Sequence, residues 1–131
     1  MMGPGGLAHV PRSRDLKLDD AVTLIKQAGG VPVLAHPGVY DNVPDLQVLF
    51  RTAQQAGVEG LEVTYPQAPD DPYGPKTAKL VERFSSVAKG MGWIQTGGDD
   101  FHGRAVTPKI RLAGWTLTPA AIVDELLARA G

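Results

Sequence analysis

The sequence predicts an α/β fold: three parallel βα units followed by a carboxyl-terminal helix. Three observations predict it. Amphipathic helical stripes alternate three times with short apolar runs, at spacings of about thirty residues. Glycine stands wherever a stripe gives way to such a run. No internal repeat or low-complexity tract points instead to a solenoid. Three parallel strands are too few to close a barrel. They leave strand edges and apolar surface for further sheet, or for another chain, to cover.

Residues 1–14 are rich in Gly, Pro and charge without an apolar period, and read as a flexible arm. His9 lies in it with no acidic or histidine neighbour, as a bystander. Residues 15–131 form the α/β domain. Asp19 and Asp20 put negative charge at a helix start, where the helix dipole favours it. Ala21, Leu24, Ile25 and Ala28 follow as the expected inward stripe, closed by Gly29-Gly30. Val31 to Ala35 reads as a buried strand, with Pro32 tolerable near its start, and His36 stands at its carboxyl end. Pro44 suits the first turn of the next helix, whose stripe is Leu46, Leu49, Phe50 and Ala53 and whose stop is Gly57. Leu61 to Tyr65 reads as the second strand, with Glu62 in its middle. A loop from Pro66 to Gly74 leads to a helix opened by Pro75, with Leu80, Val81, Phe84, Val87 and Ala88 facing inward. Gly90 and Gly92 end it, and Trp93 to Gln95 forms the third strand. The last helix takes Thr118 as its N-cap and Ile122, Val123, Leu126 and Leu127 as its apolar face.

Composition narrows the function classes. The 131 residues allow one domain with a real core, and 43% apolar against 21% charged residues indicates a globular chain. With a net charge of −1 and no Lys/Arg run, an extended nucleic-acid surface is not expected. No apolar run approaches the roughly 20 residues of a membrane span, so a cytoplasmic location is the expectation. The absence of cysteine excludes thiolate metal sites and a cysteine nucleophile, leaving His, Asp, Glu and water as metal donors.

The chemistry concentrates in Thr96-Gly97-Gly98-Asp99-Asp100-Phe101-His102-Gly103. In an extended segment Asp100 and His102 would leave the same face. A carboxylate and an imidazole there suit a borderline divalent metal. A bare D-x-H is more often a solvated turn. His36, however, ends another strand at the same carboxyl rim, where parallel α/β folds carry their chemistry. Three such ligands leave room for a water, which a divalent cation acidifies into a nucleophile. For Glu62 three roles stay open: a partner orienting a histidine, a partner of a basic residue in the core, or an outward-facing residue. Tyr40 and Tyr65 lie near the rim, where aromatics more often pack than contact substrate. Arg104 is the best candidate for an anion contact, although an exposed arginine is commonplace. No G-x-G-x-x-G or Walker pattern makes Gly97-Gly98 a nucleotide-binding loop.

The segments Gly29 to Pro37, Gly60-Leu61-Glu62-Val63 and Thr96 to Gly103, in this order, resemble the PHP (polymerase and histidinol phosphatase) family, and most of all its stand-alone phosphoesterases. The resemblance runs from about Asp19 to Gly103, with Asp99 where the family usually has serine. It implies a divalent-metal phosphoesterase using Mn, Zn or Fe, with His36, Asp100 and His102 as ligands and Glu62 in an uncertain role. Its substrate would be a phosphorylated small molecule, a nucleotide or an oligonucleotide. The family folds as a distorted (β/α)7 barrel, with an H-x-H motif and further ligands in its amino-terminal half. These are missing here, so the resemblance implies the carboxyl-terminal part of such a barrel. A separate amino-terminal half or a homo-oligomer would then complete the site. A noncatalytic remnant that binds a metal or a partner is the competing expectation.

Overall fold

The computed structural model describes residues 15–40, 42–111 and 118–131. The 1–14 arm and His9 lie outside them. Within them run α1 (Leu18–Gln27), β1 (Val33–Leu34), a 3-10 turn (Pro37–Val39), α2 (Leu46–Ala56), β2 (Gly60–Thr64), α3 (Pro75–Met91), β3 (Ile94–Gly97) and α4 (Ala121–Arg129). The strands form one parallel sheet in the order β1-β2-β3. Val33 pairs with Gly60 and Leu34 with Leu61, while Gly60 pairs with Ile94 and Leu61 with Gln95. The register slips by one residue between Glu62 and Thr64, so Val63 is the extra residue of a bulge. The expected α/β architecture of three parallel units and a final helix is the one observed.

Helix ends follow local chemistry. Asp45 caps α2, its carboxylate accepting from Gln47 N at 2.7 Å, so Pro44 lies before the helix rather than in its first turn. Gly57 and Gly92, at φ +93° and +67°, end α2 and α3 in the left-handed conformation that a side chain disfavours. The helix opened by Pro75 runs on to Met91 before Gly92 stops it.

The alternation of β2 decides what covers what. Leu61 and Val63 are buried on the face packed against Phe50 and Ala53 of α2 and Phe84 and Ala88 of α3. The Phe50 ring meets Phe84 and Trp93 edge to face, at 5.8 and 6.5 Å between centroids. Glu62 and Thr64 therefore point to the opposite face.

Three further expectations are corrected. The inward face of α1 is Leu18 and Val22, whereas Leu24 and Ile25 are 55% and 40% exposed. α1 has few neighbours, and an apolar stripe turns inward only where a partner covers it. The strands are offset from the sequence reading. β1 keeps only Val33 and Leu34, because Pro32 has no N–H to give a ladder, and β3 runs from Ile94 to Gly97. Thr118 does not cap α4, which starts at Ala121 without a side-chain cap. α4 buries none of its residues fully. Arg129 instead anchors it, donating to the carbonyls of Glu59 and Gly92 at 3.2 Å each.

Candidate metal and phosphate site

Because the strands are parallel, the segments that follow them emerge on one edge of the sheet. After β1 comes His36, after β2 come Tyr65 and Gln67, and after β3 comes the 98–102 segment. His36 and Asp100 are the two non-glycine residues with positive φ among the described residues, at +24° and +53°. Such backbone costs about 1–3 kcal/mol and clusters at functional sites. Asp100 is thus not in the extended segment expected of it; a turn, not an alternation of faces, brings Asp100 and His102 together. His102 Nδ1 lies 2.6 Å from the Asp100 carbonyl and 3.5 Å from its carboxylate. Both side chains are about half exposed, at 46% and 51%.

Glu62 reaches the rim from the far face of β2, and its Oε2 accepts from the His36 backbone N–H at 2.9 Å. It grips the main chain of the histidine, not its ring. Burial pushes its carboxyl above the ordinary value; the His36 N–H and charge oppose this, and the Asp100 charge adds to it. A Cβ on Gly98 would lie 2.9 Å from Glu62 Oε1, the free end of a side chain that would have to shift. Gly97 is required, since a Cβ would meet the Thr64 carbonyl at 2.8 Å and Thr118 Oγ1 at 2.4 Å. Neither glycine has positive φ. Close approach, rather than a tight left-handed turn, explains the pair.

Tyr65 links the two halves of the rim. Its ring lies against that of His36 at 4.9 Å between centroids, and its hydroxyl donates to Asp100 Oδ2 at 3.3 Å. Burial foremost, then the charge of Asp100, raises the Tyr65 hydroxyl far above its ordinary value, so it remains a donor. Tyr40 closes the other side of His36, at 5.9 Å and nearly perpendicular, with its hydroxyl on the Ala35 carbonyl at 2.6 Å. Tyr65 and Gln67 are the residues that sequence reasoning undervalued. The tyrosine gave a weak signal as an aromatic at a strand end, and the glutamine, in an aperiodic loop, gave none.

In kind, these donors suit a divalent cation: imidazole nitrogen and carboxylate oxygen. His36 Nδ1 is buried without a hydrogen-bond partner, an uncommon state for a polar atom outside a ligand site. In number they fall short. Among the described residues no three His, Asp or Glu side chains converge closely enough to hold an ion by themselves. Arg104 and Arg111 line an open cleft of about 800 Å³ with Phe101, Pro108 and Ile110, and no carboxylate joins that lining among the described residues. The Tyr73 ring underlies Arg111 at 5.5 Å, and the Tyr73 hydroxyl accepts from Arg111 N at 2.5 Å.

Comparison with known proteins bears on what this rim is. No family model matches the chain. It is 35% identical over 100 residues to a 3',5'-nucleoside bisphosphate phosphatase of Chromobacterium violaceum, which covers 76% of this chain and 31% of that protein. It is 34% identical over 88 residues to a phosphoribosyl 1,2-cyclic phosphate 1,2-diphosphodiesterase of Eggerthella lenta, covering 65% of this chain and 28% of that protein. The chain resembles phosphoester-cleaving enzymes. A Bifidobacterium adolescentis structure assigned as a metal-dependent phosphoesterase superposes with a TM-score of 0.69 at 26% identity, covering 98% of this chain and 42% of that one. An amidohydrolase structure from C. violaceum, with bound sulfate and no metal, superposes with a TM-score of 0.63 at 30% identity, over 97% of this chain and 42% of that one. The fold therefore matches part of a larger phosphoesterase. The chain spans about a third of the length of the curated relatives it matches.

Proposed function

We propose that this chain carries part of the active site of a PHP-type, metal-dependent phosphoesterase. His36, Asp100 and His102 act as donors to a divalent cation, manganese, zinc or iron. The observation that carries the reading is the buried, unpartnered Nδ1 of His36, joined through the Tyr65 ring to Asp100 at the carboxyl edge of a parallel sheet. The relatives' names support phosphoester hydrolysis and favour a nucleotide or another phosphorylated small molecule as substrate. A cytoplasmic location fits such a substrate, and no helix among the described residues is long and apolar enough to cross a membrane.

Each group has a task in this reading. The bound cation would lower the pKa of a coordinated water and polarise a phosphoryl oxygen. Glu62 holds the backbone of His36 through its N–H. Tyr65 keeps one oxygen of Asp100 occupied and oriented. Arg104, with Arg111 in the same cleft lining, supplies positive charge against the phosphate, which needs such groups in the transition state.

One observation favours a second reading for residues 1–131 taken alone. Without three converging donors among the described residues, a cation would keep several waters and be held weakly. In that reading the chain binds a metal or a partner without turnover, and a separate amino-terminal half or a second copy completes the site. Hydrolysis of p-nitrophenyl phosphate and of a 3',5'-nucleoside bisphosphate, with added Mn²⁺ or Zn²⁺, separates the two. Little turnover is expected from residues 1–131. Activity should return when the segment matching the rest of the relatives is supplied, and His102→Ala should abolish it. Robust turnover by these residues alone, lost in His36→Ala, would contradict the need for a completing segment.

A further inference from the structure

We infer that Gln67 is a positioning residue for His36, holding the turn that bears it against the end of β2. The inference rests on the reading of His36 as a metal donor. Gln67 is fully buried, at 0% exposure, where a glutamine persists only if its amide is bonded. Its Oε1 accepts from Gly38 N at 2.9 Å, and its Nε2 donates to the carbonyls of Glu62 at 2.9 Å and Val63 at 3.2 Å. Those two carbonyls lie at the register slip between β2 and β3, where a bulge interrupts the ladder. One uncharged side chain thus joins the bulge to the turn. A carboxylate could not do so, because it has no N–H to give the Glu62 and Val63 carbonyls.

The turn needs this support. It opens with His36 at φ +24° and ψ 62°, a sparsely populated conformation that lasts only where the surroundings dictate it. Glu62 Oε2 takes the N–H at the start of the turn and Gln67 Oε1 takes the N–H of Gly38. The buried Nδ1 of His36 makes no hydrogen bond to fix the ring, so the aim of the imidazole rests on its packing against Tyr65 and Tyr40 and on the backbone beneath it. Gly38 is fitted to the same contact. A Cβ there would lie 2.5 to 2.8 Å from the carbonyl, Oε1 and Cβ of Gln67.

Gln67→Leu removes all three bonds, and Val22→Ala, remote in the core, serves as the control for lost stability. In the metal-free protein, amide hydrogen exchange should show Gly38 losing protection in Gln67→Leu while Ile94, bonded to the Glu59 carbonyl, keeps its own. Calorimetric titration with Zn²⁺ alone should show a loss of affinity of about tenfold or more, the usual effect of removing an orienting partner. Val22→Ala should lose far less. Unchanged protection of Gly38, or equal affinity losses in the two variants, would overturn the assignment. If Gln67→Leu does not fold, Gly38→Ala, whose new Cβ meets Gln67 first, carries the same expectations. A wild-type chain that takes up no Zn²⁺ even with the completing segment supplied would refute the metal reading, and exchange at Gly38 would still decide the role of Gln67.

Discussion

Glu62 shows how one half-buried carboxyl ties the end of β2 to the His36 turn. Its carboxyl lies above its ordinary value of 4.5, so the folded chain holds that proton more tightly than the unfolded chain. The stability this gives is fully present below about pH 4.5 and is lost as pH rises through the raised value. Urea midpoints of the metal-free protein, followed from about pH 4 to about pH 7, should therefore fall relative to Glu62→Gln. A wild-type profile parallel to that of the variant would mean that the folded site does not disfavour the charge. The role of Glu62 was only half legible in the sequence. A carboxylate amid apolar strand residues flags an unusual position, but its target, the His36 amide, belongs to a turn whose shape no periodicity records.

Each element shows what patterning conveys and where it stops. The stripes of α2 and α3 were readable because Phe50 and Phe84 sit amid apolar residues at helical spacing, and both are fully buried. α1 misled for the converse reason: its apolar residues occupy more than one side, and only Leu18 and Val22 find the core. The glycines divide in the same way. Gly92 is needed for its φ of +67°, since a Cβ placed on it would meet nothing within 4 Å, whereas Gly97 is needed for space. Gly92→Ala should cost about 1 kcal/mol, the ordinary penalty for a side chain in the left-handed region. Gly97→Ala sets a methyl against the Thr64 backbone and should cost about 1–3 kcal/mol or more, because backbone cannot swing aside. Denaturant unfolding of both variants checks the order, and a more damaging Gly92→Ala would reverse the account of the strand end.

Across the described residues, the helices α2 and α3 cover one face of a three-stranded sheet, and Glu62 meets the His36 turn from the other. Leu16, Leu24, Ile25 and Val48 remain more than a third exposed, and both outer strands keep an unpaired edge among the described residues. That is consistent with a chain that matches part of a larger phosphoesterase fold, and it fits the share of the relatives' length that this chain spans. The same partial character makes a weak metal site the expectation, so the decisive measurement must detect weak binding. Titrating Mn²⁺ into the ¹⁵N-labelled protein does so, since paramagnetic broadening marks nearby amides even at low occupancy. Broadening should centre on His36, Glu62, Asp100 and His102 and weaken in His36→Ala. Broadening centred instead on the surface carboxylates Asp70 and Asp71, or unchanged in His36→Ala, would contradict the assignment of this rim as a metal site.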